Sequence, residues 1–178
     1  MLPDALRERA ARVKLLALDV DGVLTDGRLH YAPEGEATKV FDVKDGLGLR
    51  LLRDEGIAIA IVSAKRSTML ERRLADLKIS DACLGREDKR VALDEVRARA
   101  NASLDEVCFV GDDVLDLPVL RVVGLAATPA DGHALVRREV PWVLQACGGR
   151  GAVREVCDAL LEARGRLEAA VETLLATR

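Results

Sequence analysis

Two aspartates stand one residue apart in LALDVDGVLTDG, Leu16 to Gly27, directly after an apolar run. Carboxylates that close repel each other, and the arrangement becomes tolerable where they share a cation. Related groups follow two other apolar runs: Ser63 ends IAIAIV, and Gly111-Asp112-Asp113, with Asp116 just beyond, ends EVCFV. Lys89 opens the helix expected ahead of the last of these. Several carboxylates converging on one place require a neutralising ion, and hard oxygen donors favour Mg²⁺ over zinc. The carboxylates of Asp19 and Asp112, with the main-chain carbonyl of Asp21, form a ligand set that leaves positions for water and a phosphate oxygen. Such a site suits phosphoryl transfer. Asp19 is expected to attack phosphorus, while Asp21 protonates the leaving oxygen and later deprotonates the attacking water. Ser63 would hydrogen-bond the transferring group, and Lys89 would set positive charge against it. Asp113 and Asp116 are expected to stand behind the ligating oxygens.

The elements that must position these residues follow a strand and helix rhythm. VKLLAL, residues 13 to 18, is short, apolar and bounded by Asp and Gly, which predicts a strand buried on both faces. Arg28 to Val43, broken by APEGE, reads as a two-stranded hairpin. A helix is predicted from Gly46 to a stop at Gly56, then a strand at 57–62, a helix at 67–77 and a short strand at 82–84. A helix at 89–100, strands at 106–110 and 124–128, a helix near 131–138 and an edge strand at 142–144 follow, and the chain ends in one helical stretch from Ala152 to about Ala176. The pattern predicts an α/β fold, a Rossmann-like, mostly parallel sheet with helices on both faces and a hairpin inserted after the first strand. Ligands of such sheets sit beyond the carboxyl ends of the strands, where the residues above fall.

Composition narrows the partners. With 178 residues and about half of them apolar, the chain is expected to form one domain, 1–178, with a hairpin near 28–43 and a C-terminal helical tail near 152–176. The net charge is −3 with acids and bases interleaved, and one Trp, one Tyr and two Phe are all the aromatics, which argues against nucleic acid or an anionic membrane. A small-molecule partner is favoured. The N-terminus has no apolar signal core and no run approaches a membrane span, so a cytoplasmic location is expected. The four cysteines form no C-x-x-C pair and read as core filler.

Asp-x-Asp-Gly-Val-x-Thr, a Ser ending the next core strand, a Lys, and Gly-Asp-Asp-x-x-Asp closely resemble, in order and placement, the motifs of the haloacid dehalogenase superfamily of phosphohydrolases. That superfamily generally shields its site with an inserted cap domain. Here only the hairpin lies between Asp21 and the predicted helix at Gly46, and only residues 64 to 88 separate Ser63 from Lys89, so no cap domain fits. Closure must come from elsewhere, and another subunit is the simplest supplier. A homo-oligomer whose hairpins pack together is therefore expected.

The stretches FDVKDGLGLRLL, GDDVLDLPVL, VGLAATPADGHALVR and GGRGAVREVCDALL further resemble the capless family that hydrolyses 3-deoxy-D-manno-octulosonate 8-phosphate, roughly from Lys14 to Arg164. The resemblance implies a Mg²⁺-dependent tetramer serving lipopolysaccharide precursor synthesis, its hairpins forming a central barrel and its glycine-rich C-terminal segment reaching a neighbouring active site. It puts Asp45 near the substrate mouth, although Asp45 alone reads as a cap of the helix at Gly46. Arg150, in GGRG, reads either as part of a flexible loop or as a guanidinium meeting an anionic sugar acid. Arg154 reads equally as an ordinary exposed helix residue, and His30 and His133 read as surface residues. One departure stands out. Ser63-Ala64-Lys65 replaces the family's usual Thr-Gly-Arg, which keeps the hydroxyl but exchanges a planar two-pronged donor for a point charge among the residues expected to meet substrate. That leaves a sialic-acid-type 9-phosphate as an alternative substrate, and a non-catalytic oligomerisation module stands as an alternative of another class.

Overall fold

The computed structural model describes residues 2–176. In chain order the strands are β1 (Leu15–Leu18), β2 (His30–Ala32), β3 (Gly35–Thr38), β4 (Ala58–Ser63), β5 (Ala82–Leu84), β6 (Val107–Val110), β7 (Leu125–Thr128) and β8 (Trp142–Val143). The helices are α1 (Arg7–Ala11), α2 (Val43–Asp54), α3 (Thr68–Asp76), α4 (Lys89–Arg99), α5 (Leu117–Leu120), α6 (Ala134–Glu139), α7 (Ala152–Ala163) and α8 (Leu167–Ala176).

Six strands form one parallel sheet in the order β5-β4-β1-β6-β7-β8. Its central strand pairs on both sides, Leu16 opposite Ile59 and opposite Cys108, so β1 is where the strand order reverses. Alternation along each strand then makes two cores. Leu16, Leu18, Ile59, Ile61 and Val110 face α1, α2, α3, α7 and α8, whereas Leu15, Ala17, Val62 and Phe109 face α4, α5 and α6. Burial on both faces is why β1 and β6 are uninterrupted apolar runs. Among the described residues no helix is long and apolar enough to cross a membrane.

Several boundaries differ from the sequence reading. Helix α2 begins at Val43 because the Asp42 carboxylate caps it, accepting from the Lys44 N–H at 2.7 Å. Gly46 and Gly48 therefore lie inside the helix, where a Cβ would meet Arg73 Nη2 at 2.5 Å and Arg154 Cδ at 2.9 Å. The C-terminal helix is two helices. Gly165, at φ +64°, takes the left-handed conformation that ends α7, and the Arg166 N–H closes back on the Leu161 carbonyl at 2.9 Å. The hairpin is shorter than 28–43, its strands covering only 30–32 and 35–38, because among the described residues β2 and β3 pair only with each other. Helix α6 starts at Ala134 rather than near 131, with the His133 ring accepting from the Leu135 N–H. Two short helices, α1 and α5, were not anticipated.

Candidate active site

The carboxyl ends of β1, β4 and β6 converge on a cleft of about 230 Å³. Asp19, Asp21, Ser63, Lys89 and Asp112 line it, as do Ala64, Lys65, Asp113 and Asp116. A larger hollow of about 700 Å³ between α2 and α3 holds none of these carboxylates. The carboxylates and Lys89 gather in the smaller one.

Each side chain is delivered by a local device. Asp19 follows β1, its N–H still bonded to the Val110 carbonyl at 3.0 Å, so the strand pairing with β6 fixes where its carboxylate leaves the sheet. The chain then turns sharply, with the N–H groups of Val23, Leu24 and Thr25 all donating to the Val20 carbonyl. Gly22 sits in this turn at φ +90°, and a Cβ there would lie 2.1 Å from Asp112 Oδ2, so the absence of a side chain lets the two acidic loops meet. Asp88 caps α4, accepting from Arg90 and Val91, which places Lys89 at the first helical position. The buried Lys89 ammonium reaches Asp19 Oδ2 at 2.7 Å and Asp116 Oδ1 at 2.6 Å. Asp116 is fully buried, and its other oxygen accepts from the N–H groups of Asp112 and Asp113 at 3.0 and 3.2 Å. It therefore shapes the turn that presents Asp112. Asp113 caps that turn through the Val114 N–H. Ser63, buried at the end of β4, accepts from the Lys65 N–H at 3.2 Å, and Lys65 itself is exposed.

The charges do not balance. Oxygens of Asp19, Asp112 and Asp116 lie within 4.8 Å of one another, against the one ammonium of Lys89. Burial, then the neighbouring Asp19 and Asp116, push the Asp112 carboxyl up to about 7. Burial and Asp116 push Asp19 up to about 6, with Lys89 opposing. Among the described residues no hydrogen-bond donor faces the Asp112 carboxylate, and no hydrogen bond reaches the main-chain carbonyl of Asp21. Free hard oxygens beside uncompensated negative charge are what a divalent cation would take up.

Three sequence-predicted residues sit differently from that cluster. Asp45 is buried in the first turn of α2 and caps α7 rather than its own helix, accepting from the Arg154 N–H at 2.7 Å. Burial is the main reason its carboxyl is pushed up to about 6. Arg150 is exposed on the loop before α7, with one guanidinium nitrogen 3.9 Å from Asp26 of its own chain. That loop is anchored rather than free: Gly148 N–H donates to Asp131 at 3.0 Å, Gly149 N–H to the Val23 carbonyl at 2.9 Å, and a Cβ on Gly148 would lie 1.9 Å from the Gly22 carbonyl oxygen. Arg154 is partly buried against Asp158 at 2.7 Å. His30 and His133 are exposed.

The sequence reading missed Lys39. Its side chain is 3% exposed and reaches Asp21 Oδ1 and, at 3.0 Å, Glu36 Oε1. Burial alone would lower its pKa, but the hydrogen bond to Asp21 and the charge of the two carboxylates raise it above the ordinary value.

No family model matches the chain. Individual proteins do. It is 42% identical over 167 residues to the 3-deoxy-D-manno-octulosonate 8-phosphate phosphatase KdsC of Yersinia pestis, covering 94% of this chain and 89% of that protein. The chain belongs to the 3-deoxy-D-manno-octulosonate 8-phosphate phosphatase family. Membership places it in the haloacid dehalogenase superfamily and makes it a phosphatase. A Moraxella catarrhalis family member, solved in complex with magnesium, phosphate and KDO, matches with a TM-score of 0.92 at 36% identity, covering 97% of this chain and 99% of that one. The cobalt-bound Haemophilus influenzae family member matches with a TM-score of 0.89 at 40% identity, covering 90% and 94%.

Proposed function

We propose that this protein hydrolyses 3-deoxy-D-manno-octulosonate 8-phosphate to the free sugar acid and phosphate, by way of a phosphoryl group carried on Asp19. The observation that carries the reading is the Asp19 carboxylate held at 2.7 Å from Lys89 beside an Asp112 carboxylate that, among the described residues, accepts no hydrogen bond. Carboxylates of Asp19 and Asp112 and the main-chain carbonyl of Asp21 would hold Mg²⁺, matching an all-oxygen donor set. When bound, the ion offsets the negative charge of carboxylate and phosphate as they approach. Lys89 holds Asp19 in place from the other side and supplies cationic charge to the phosphoryl oxygens. The Ser63 hydroxyl donates a hydrogen bond to the transferring group. Asp21 gives a proton to the leaving sugar oxygen and takes one from the water that frees Asp19, splitting one difficult hydrolysis into two easier transfers. Lys65, exposed beside the cleft, offers a cation to the substrate's anionic end, and Arg150 and Asp45 act at its margin through the loop before α7.

The protein works as a homo-oligomer, most simply a tetramer, whose hairpins meet. Leu29, Tyr31, Val40 and Val43 are all exposed on or beside that hairpin, which supports an apolar contact there. It folds as one domain and acts in the cytoplasm, on a precursor of lipopolysaccharide; its four free cysteines suit a reducing compartment.

Phosphate release from the octulosonate ester tests the assignment. Wild-type protein should turn over only with added Mg²⁺ and lose activity to EDTA, while Asp19→Asn should lower kcat by about 10⁴-fold or more without altering assembly. An undiminished Asp19→Asn rate removes Asp19 from the nucleophile's role. A higher kcat/KM for a sialic-acid-type 9-phosphate would replace the substrate and keep the reaction.

A further inference from the structure

Each aspartate of the first motif has its own lysine, and the two lysines come from different parts of the chain. Lys89, from α4, serves Asp19, whereas Lys39, just past β3, serves Asp21. The second pairing is unusual in its cost. A lysine side chain 3% exposed gives up almost all its hydration, and that loss is offset only where carboxylates replace the water, as Asp21 and Glu36 do. Asp21, by contrast, keeps about a quarter of its side-chain surface open, with 24% exposure, and lines the cleft. The carboxylate lines the cleft and the ammonium does not, so the cation meets the carboxylate from outside the cleft. Phe41, two residues on, lies under the Arg73 guanidinium at 5.8 Å, so the segment carrying Lys39 is pinned against α3. A bond between this segment and the loop after β1 fixes one oxygen of Asp21 and leaves the other to the reacting group.

We propose that Lys39 is a positioning residue for the phosphatase reaction, holding the Asp21 carboxylate in the orientation that serves the leaving oxygen and the attacking water. This rests on the acid and base role given to Asp21 above. A lysine that merely ties the hairpin to the body would affect folding or assembly, and its removal would cost the same whether or not Asp21 is present.

A double-mutant cycle on kcat for the octulosonate ester, measured with Mg²⁺ on the intact protein, separates the two. Lys39→Met in the wild-type background should lower kcat by about tenfold to a hundredfold with KM little changed, but by less than about threefold in an Asp21→Asn background. Lys39→Arg, which keeps a cation, should recover most of the loss. Equal losses in both backgrounds, or no loss in either, overturn the proposal. Should Asp21→Asn itself retain full kcat, the acid and base assignment fails first, and the cycle reports that separately from any Lys39 effect. If Lys39→Met does not fold by melting temperature, Lys39→Gln runs the same cycle with the same two outcomes.

Discussion

The acidic cluster is sensitive to a small change at Gly22. Its φ of +90° costs an L side chain roughly 1–2 kcal/mol, and an added methyl would also lie 2.1 Å from Asp112 Oδ2. The strain is modest, but the collision is with a proposed ligand, so function should suffer more than stability. Gly22→Ala should shift Asp112, raise the Mg²⁺ concentration needed for half-maximal phosphate release by about tenfold or more, and leave a folded protein by calorimetry. An unchanged Mg²⁺ requirement would detach Asp112 from the ion. At this scale Asp19, Asp21, Ser63, Lys89 and Asp112 were legible because each follows or precedes an apolar run, and strand ends of such a sheet point one way. Lys39 was not. It sits in ATKVFDV, which reads as plain strand, and its partner is 18 residues away through a hairpin whose tilt no local pattern encodes.

At the scale of elements, the same limit governs Asp45. A sequence can suggest that an aspartate caps the nearest helix, but Asp45 caps α7, 109 residues downstream at Arg154, because α2 and α7 pack side by side. Gly48 permits that approach, since a Cβ there would press on Arg154 and Cys157. Among the described residues Oδ2 of the buried carboxylate has no hydrogen-bond partner, and the pKa of the group rises from 3.8 to about 6. The folded state thus holds the Asp45 proton more tightly than the unfolded chain does. Stability from this group is greatest at low pH and declines as pH rises through that interval. At about 1.4 kcal/mol per unit, the loss between pH 4.5 and 7 is roughly 2 kcal/mol. Asp45→Asn cannot titrate, so its stability relative to wild type, measured by urea unfolding, should improve by about that amount across the same range. A constant difference would show that Asp45 ionises in the fold as it does in the unfolded chain. The strands were easier to read than the helix ends, because four consecutive buried apolar residues in β1 and β6 leave little choice, while α2 is set by one side-chain cap at Asp42.

At the scale of the whole molecule, one chain supplies a shallow site without a lid. The cleft is about 230 Å³, Leu115 beside it is 69% exposed, and no inserted domain follows β1 or β4. Binding energy from the remote part of a substrate helps hold the reacting centre in place, so a wall that contacts that part would add to selectivity. Tyr31, on β2, is 71% exposed and Val43, at the start of α2, 78%, and exposed apolar side chains of this size suit contact with a second copy. Oligomer number was not legible because sequence periodicity describes what one chain buries in itself, and a two-stranded hairpin that buries little looks the same whether it projects into water or against a neighbour. Sedimentation should find wild type larger than a monomer, and Tyr31→Arg combined with Val43→Glu should dissociate it. Dissociation should lower kcat/KM for the octulosonate ester by about tenfold or more while changing hydrolysis of a small aryl phosphate by less than about threefold, because the small ester has no remote portion for a neighbour to hold. A wild-type monomer, or a dissociated variant that keeps full activity on the sugar-acid ester, would mean that one protomer closes its own site.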